Sequence, residues 1–224
     1  MAQLHVLRVF CDSAWSHGNP LGVFLDGDEV PEERRQDVAA ELGFSETVFV
    51  DDAAEGRIRI FTPAFELGFA GHPTVGTAWL LGKERAPVEV LRPPAGEVKV
   101  RVDGGKTFVT AKPEWGPDWK FFELRDPTAV EEAADLPDGE QVGCIWAWVD
   151  RAEGTVRSRC FSHDDNIGED EATGSAAICL AAAVDQPIEI LQGRGSRLDA
   201  RPVGDGFAEV GGRVVVDEVR EFGL

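Results

Sequence analysis

The chain has 224 residues, of which 43% are hydrophobic, and a formal net charge of −19 at pH 7. This hydrophobic content supports packed cores and excludes a disordered chain, and the length allows one large domain or two small ones. Nucleic-acid binding and docking on an anionic membrane are disfavoured, because both need clustered lysine and arginine. No apolar run reaches the roughly 18–20 residues of a membrane span, and the first residues do not resemble a signal peptide. We therefore expect a cytoplasmic protein that binds neither nucleic acid nor a membrane.

The first half of the chain alternates strands with two helices. The strands "LHVLRVF" and "LGVFL" flank a turn, and "PEERRQDVAAELG" predicts a helix from Pro31 to a stop at Gly43. "SETVFV" and "GRIRIFTP" follow as strands, and a second helix begins near His72 in "HPTVGTAWLLGKE". The stretch "VEVLRPPAGEVKVRVDGGKTFVTAK" is typical of strands separated by turns.

The segment "PEWGPDWKFFELRDP" is rich in proline and tryptophan and indicates a boundary, which divides the chain into residues 1–116 and 117–224. The last residues are free to pack back on the first half. After the boundary, "DPTAVEEAADL" begins a second set of helices and strands, in which "ATGSAAICLAAAV" is a helix. Each half thus contains one helix that is apolar nearly all round and should be buried in its own half. The predicted fold class is α+β.

The two halves also resemble each other. "RIRIFTP" begins at Arg57 and "RSRCFSH" begins at Arg157, and Ala70-Gly71-His72 then lies opposite Thr173-Gly174-Ser175. A single short match can arise by chance. Because strand, acidic loop, small-residue corner and apolar helix recur in the same order, we favour a duplicated architecture.

The starts of the two apolar helices are candidate anion sites. The first turn of a helix presents unpaired backbone N–H groups and the positive end of the dipole, and a glycine lets a ligand approach closely. Two such ends, Gly71 and Gly174, would face one cleft and suit a small carboxylate. The alternative is that Thr74, Thr173 or Ser175 is merely a helix cap.

Titratable groups accompany both helix starts. His72 lies at the first, where its protonated form is disfavoured, which favours a neutral hydrogen-bonding or proton-shuttling role. Glu169, Asp170 and Glu171 precede the second, where simple compensation of the helix dipole is the competing explanation. Glu46, between a helix stop and a strand, is by pattern a surface turn residue, or else a buried acid whose pKa suits acid–base catalysis.

Other chemistries find little support. The four cysteines form no CxxC pair and lack the spacing of a metal site, so we expect reduced core residues. Ser175 lacks the setting of a hydrolase nucleophile, and "GFAGHPTVG" has glycines at the wrong spacing for a dinucleotide site.

Four segments resemble, in order, the hallmark segments of the phenazine-biosynthesis PhzF-like isomerase family, which shares its fold with diaminopimelate epimerase. They are "GNPLGVFLD" (18–26), "LGFSETVFV" (42–50), "RIRIFTPAFELGFAGHPTVGTAW" (57–79) and "GEDEATGSAA" (168–177). The resemblance implies two pseudo-symmetric halves, each a curved sheet around a central helix, with the active site between them. It implies no metal or organic cofactor, and a homodimer is common in the family.

The resemblance also implies roles for individual residues. Glu46 is expected to be the general acid and base, assisted by His72 and Asp170. The expected substrate-binding residues are Asn19, Gly71, Thr173, Gly174 and Ser175. The epimerase relatives keep a catalytic cysteine at each helix start, where this chain has Ala70 and Thr173. A proton shuttle on one carboxylate is therefore expected, rather than a pair of cysteine bases.

This chain also departs from the family pattern. Many relatives have proline where Glu171 stands, and "LQGRGSRL" looks contracted. The leading hypothesis is a cofactor-independent isomerase that moves a proton on a small, carboxylate-bearing, cyclic or aromatic-precursor metabolite. The alternatives are a non-catalytic small-carboxylate binding or regulatory protein, and a different lyase or isomerase chemistry on the same scaffold.

Overall fold

The computed structural model describes residues 1–137, 139–163 and 168–223. In these residues the chain is α+β, as predicted. It has few helices and many strands, and the strands form two groups that are called wings below. The α-helices are α1 (Arg35–Leu42), α2 (Gly71–Glu84), α3 (Pro127–Glu132) and α4 (Gly174–Val184). The strands are β1 (Ala2–Cys11), β2 (Asn19–Phe24), β3 (Thr47–Asp52), β4 (Arg57–Phe61), β5 (Glu66–Leu67), β6 (Val90–Leu91), β7 (Val98–Asp103), β8 (Lys106–Ala111), β9 (Lys120–Glu123), β10 (Val142–Asp150), β11 (Thr155–Ser162), β12 (Gly168–Asp170), β13 (Ile188–Gln192), β14 (Ser196–Gly204) and β15 (Phe207–Phe222).

The long strand β15 joins the two wings, of which the first is formed by β1 to β5 and the second by β9 to β14. Its second part pairs antiparallel with β1, from Arg213 opposite Cys11 to Phe222 opposite Ala2. Its first part pairs with β8 and β14. The order β5-β4-β3-β2-β1-β15-β14-β13-β11-β10-β9 is therefore continuous, and β8 adds a branch with β7 and β6. The second part of β15, up to Phe222, thus lies on β1 of the first half, while the division at residue 116 stays a prediction.

The two apolar helices are buried, as predicted from their composition. Helix α2 contacts β1, β2 and β8, and helix α4 contacts β14 and β15. Both supply large side chains to one shared core, among them Leu80 and Leu81 of α2 and Leu180 of α4. The predicted helix after Pro31 begins as a 3-10 turn and ends at Gly43, whose φ of 67° suits glycine. No described helix has the length and apolar character that a membrane span requires.

The β4–β5 and β11–β12 strand pairs repeat one local arrangement. Arg59 of β4 forms two hydrogen bonds with Glu66 of β5, and Arg159 of β11 forms two with Glu169 of β12. In both, the guanidinium also lies over the phenylalanine two residues later, 5.3 and 5.2 Å from the ring centroid. The same contacts recur before each buried helix, which supports the duplicated architecture. Glu169 is thereby a partner of β11 rather than of the α4 dipole.

The expectation that all four cysteines are reduced is wrong for two of them. Cys144 of β10 and Cys160 of β11 form a disulfide. The antiparallel register sets them directly opposite each other, with their Cα atoms 4.1 Å apart. The sequence gives no sign of this register, because the two residues are 16 positions apart. Cys11 and Cys179 are free thiols, and Cys11 is a buried core residue as expected.

Candidate active site

The starts of α2 and α4 touch each other through two glycines. A Cβ atom at Gly71 would lie 2.6 Å from the Cα and carbonyl carbon of Gly174. A Cβ atom at Gly174 would lie 2.9 Å from the Cα of Gly71 and from the backbone nitrogen of His72. Real Cβ atoms do not approach so closely, so the contact requires glycine at both positions. Two positive helix ends therefore converge on one place, between the wings.

Neither helix start is capped by a side chain, and the interpretation of the threonines as caps is wrong. Ala70 and Thr173 occupy the two cap positions, and neither makes a side-chain capping bond. The hydroxyl of Thr173 donates to Asp170 Oδ2 at 2.6 Å instead, and that of Thr74 donates to the Ala70 carbonyl at 2.6 Å. Because no side chain caps the first turns, both helix starts are candidate anion sites.

Glu46 lies beside the first helix start. Its Oε2 is 3.4 Å from His72 Nε2, and only 12% of its side chain is exposed. The residue immediately precedes β3, whose parallel pairing with β2 holds it at the mouth of the first wing. The interpretation of Glu46 as a surface turn residue is therefore wrong, and its carboxylate lies within reach of the second residue of α2.

His72 is neutral, and its Nε2 lies 3.4 Å from Glu46 Oε2. The ring hydrogen-bonds to the backbone of Pro20, which has no N–H, so the imidazole donates there to a carbonyl. Nε2 has no hydrogen-bond partner among the described residues, so Nδ1 makes this bond. Burial lowers the pKa of His72 to about 4, against the opposing charge of Asp170. The imidazole of His72 is therefore neutral, as predicted, but the main cause is burial rather than the helix dipole. Its Nε2 lone pair faces Glu46.

Asp170 ends β12 and brings a second carboxylate to the same place from the other wing. Its Oδ1 accepts a hydrogen bond from Asn19 Nδ2 at 2.7 Å, and its Oδ2 accepts one from Thr173. Burial, and then the charge of Glu46, raise the pKa of Asp170 to about 6, although His72 and the two donors oppose this. The carboxyl group therefore titrates close to neutral pH.

A small cavity of about 50 Å³ lies at the meeting point. Four of the predicted site residues line it, namely Glu46, Asp170, Thr173 and Ser175. The rest of the wall is Thr62, Leu67, Phe69, Ala70, Pro117, Trp119 and Ser162. The other four predicted residues, Asn19, Gly71, His72 and Gly174, are buried behind this wall or at the helix contact. Asn19 accordingly holds Asp170 and the Ala172 carbonyl.

Two side chains at the site were not identified from the sequence. Gln192 donates to the Thr173 hydroxyl at 2.8 Å and to the Asp170 carbonyl at 3.0 Å, and it accepts from the Thr173 backbone. Its only sequence signal is the Gln-Gly pair of the contracted segment. Trp119 donates from its indole nitrogen to Ser175 Oγ at 3.1 Å. It lies in the proline- and tryptophan-rich segment that indicated only a boundary.

Glu171 faces away from the cavity. Its Oε1 accepts hydrogen bonds from Ser196 Oγ at 2.9 Å and from the Arg194 backbone at 3.1 Å. Its carboxylate also fits against Gly193, where a Cβ atom would lie 2.5 Å from the Glu171 Cδ. The extra acid therefore fastens the short β13–β14 turn to the approach of α4, and it adds no carboxylate to the cavity wall.

Comparison with known proteins identifies the family of this fold and site. The family model described as phenazine biosynthesis-like protein matches residues 7–136. The chain belongs to this family. The trans-2,3-dihydro-3-hydroxyanthranilate isomerase of Pseudomonas aeruginosa is 34% identical, over 84% of this chain and 86% of that protein. The isomerase of the same description from Pseudomonas fluorescens is 30% identical, over 79% of this chain and 80% of that protein. The predicted family and the isomerase class are thereby confirmed.

Solved structures share the fold over its full length. A PhzF-family protein from Bacillus anthracis has a TM-score of 0.79 at 20% identity and covers 100% of this chain and 99% of its own. A probable proline racemase from Agrobacterium radiobacter, solved with bound carbonate, has a TM-score of 0.62 at 11% identity, covering 100% of this chain and 93% of its own. At these identities the likeness shows the fold alone, and it confirms the predicted epimerase-like architecture.

Substitution of Gly174 by alanine should force the two helix starts apart. The added Cβ would meet the Gly71 backbone, so the free energy of unfolding should fall by about 1–3 kcal/mol. Gly82→Ala is the matched control within α2, because its nearest neighbour is the Pro87 Cα at 3.8 Å. That substitution should be neutral or stabilise by up to about 1 kcal/mol. Chemical denaturation measures both, and equal effects would contradict the tight contact.

Titration of Asp170 should appear in the pH dependence of anion binding. Because its pKa is raised to about 6, the group is neutral below that pH and becomes charged above it. Affinity for benzoate should therefore fall by up to about tenfold as the pH rises through 6. His72 stays neutral over this range, since its pKa is about 4. Calorimetric titration of Asp170→Asn should show no such fall, and an unchanged profile in that variant would contradict the assignment.

Proposed function

We propose that the protein is a cofactor-independent isomerase that moves a proton between two carbons of a small cyclic carboxylic acid. The observation that carries this proposal is the convergence of two uncapped helix starts beside two carboxyl groups, one from each wing. The helix starts suit binding of the substrate's carboxylate, and the two carboxyl groups suit the proton transfer.

The substrate carboxylate would bind at the helix starts. The unpaired first-turn N–H groups offer several donors within one small space, and the two helix dipoles add to the same positive potential. Without an anion, these like ends repel each other across the glycine contact. A bound carboxylate therefore stabilises the closed arrangement of the wings, as well as fixing the position of the ring.

Glu46 would carry the proton in this mechanism. It takes a proton from an acidic ring carbon, the ring double bond shifts, and the same carboxyl group returns the proton to another carbon on the same face. Between these steps the protonated Glu46 can donate to the Nε2 lone pair of His72, 3.4 Å away. Asp170 faces the reaction from the other wing, and its raised pKa allows it to hold or release a proton near neutral pH.

The substrate class follows from the relatives. The two isomerases named above act, by their names, on a dihydro-hydroxyanthranilate, which is a cyclic amino acid with a ring carboxylate. The present cavity of about 50 Å³ has room for only a few water molecules. Binding of a ring therefore requires part of the wall to yield. The turn of residues 63–68 carries Leu67 of that wall and is mostly exposed, so it is the part that we expect to move.

Three further expectations come from the sequence. The homodimer and the absence of an organic or metal cofactor rest on the family resemblance, and the cytoplasmic location rests on the features of the sequence itself. They stay predictions. The competing hypothesis of a non-catalytic binding protein drew on Glu171 and the contracted second half, and Glu171 is engaged with the β13–β14 turn.

The variant Glu46→Gln should abolish enzyme-dependent incorporation of deuterium into the substrate. The amide has the shape of the carboxylate but cannot accept the proton. The measurement is an NMR assay in D₂O with dihydro-hydroxyanthranilate and a set of small cyclic amino and hydroxy acids. A loss of at least about 100-fold is expected, in line with removal of a general base.

Binding of the stable analogue anthranilate serves as the control for folding of Glu46→Gln, since it should be retained. Deuterium uptake at the wild-type rate in this variant would contradict the role of Glu46. Binding by the wild-type protein with no exchange into any acid would instead favour the non-catalytic alternative.

A further inference from the structure

We infer that Trp119 is a positioning residue, which aims the hydroxyl group of Ser175 at the substrate carboxylate. This inference rests on the proposed function and adds a residue from outside the recognised segments. Trp119 lies between the two sets of strands, immediately before β9. Trp119 forms part of the wall of the cavity that Glu46 also lines.

The hydrogen bond between Trp119 and Ser175 has only one possible direction. An indole nitrogen is a donor and never an acceptor, so Nε1–H donates to Ser175 Oγ across 3.1 Å. The serine oxygen is therefore the acceptor, and its own hydrogen must be directed elsewhere. Ser175 is 9% exposed, so bulk water does not surround this hydroxyl.

The hydroxyl hydrogen of Ser175 finds no acceptor within the described protein. The indole contact is the one hydrogen bond that its Oγ makes with a described residue. Asp170, a carboxylate that lines the same cavity, already accepts from Asn19 and Thr173. What remains is the cavity that Ser175 and Trp119 both line. A carboxylate seated there would accept from the hydroxyl and from the backbone N–H groups of the same helical turn.

The position of the indole is itself fixed. The ring packs against the disulfide between β10 and β11 and against Ala176, the residue after Ser175. The chain leading to it also touches the serine, because a Cβ atom at Gly116 would lie 3.0 Å from the Ser175 Cβ. These contacts hold the Trp119 side chain beside the first turn of α4. Removal of its N–H would free the hydroxyl to rotate.

A double-mutant cycle with anthranilate tests the inference. Calorimetric titration of Trp119→Phe, which keeps a ring but loses the donor, should show a Kd raised roughly three- to tenfold. Ser175→Ala should weaken binding by at least as much. The double variant should bind no worse than Ser175→Ala, because the indole acts through the hydroxyl. Trp79→Phe is the matched control, since that half-buried tryptophan of α2 contacts Lys83 outside the cavity wall, and its Kd should be unchanged.

The indole resonances supply a second readout that a packing role would not move. In protein labelled with ¹⁵N-tryptophan, the cross-peak missing from Trp119→Phe identifies the Trp119 N–H. This peak should shift in Ser175→Ala and again when anthranilate is added to the wild type. The inference would be overturned by additive losses of affinity in the cycle. It would also be overturned by a Trp119 peak that shifts neither in Ser175→Ala nor on addition of anthranilate. Neither result affects the proposed function as long as the wild type binds anthranilate and catalyses deuterium exchange. Absence of both binding and exchange in the wild type would overturn the proposed function as well.

Discussion

The contact between Gly71 and Gly174 is the constraint on which the remaining structure depends. Each glycine begins the central helix of one wing, and the two backbones approach more closely than any Cβ would allow. Because the wings meet at this point, the residues around each helix start share one small cavity. The same contact sets two positive helix ends against each other, which favours the proposed binding of an anion at the junction. The glycine contact thus accounts both for the way the two wings meet and for the position of the proposed anion site.

Burial is the main influence on the charge of two titratable groups at this junction, His72 and Asp170. His72 is kept neutral by burial, and its lone pair faces Glu46. Asp170 is held by donors on both oxygens, yet burial and the charge of Glu46 still raise its pKa. A pair of carboxyl groups that share one buried site cannot both ionise freely. In the proposed isomerisation, Asp170 can therefore hold or release a proton near neutral pH.

Much of this arrangement could be predicted from the sequence, because the informative features are local. The two apolar helices, their glycine starts and the candidate acids follow from short patterns, and the repeat of Arg57 and Arg157 predicts the duplication. Features that depend on exact strand register or on packing between elements were not accessible. The Cys144–Cys160 disulfide needs the register of β10 and β11. The contact of Trp119 with Ser175 depends on how the tryptophan packs beside α4.

The competing interpretations of the helix starts also needed the structure. By pattern, Thr173 is an ordinary cap and Glu171 an ordinary dipole partner. In the fold the Thr173 hydroxyl is bound to Asp170, and Glu171 reaches the β13–β14 turn instead. A sequence motif names the residues at a helix start, but the direction of each side chain is decided by strands that are distant in the chain.

A crystal structure of the anthranilate complex tests the central claim most directly. We predict that the ligand carboxylate lies within about 3 Å of first-turn backbone nitrogens at the Gly71–Gly174 junction, with the ring beside Glu46. We also predict that the turn of residues 63–68 is displaced to admit the ring. A carboxylate bound away from both helix starts, with Glu46 out of reach of the ring, would contradict the account.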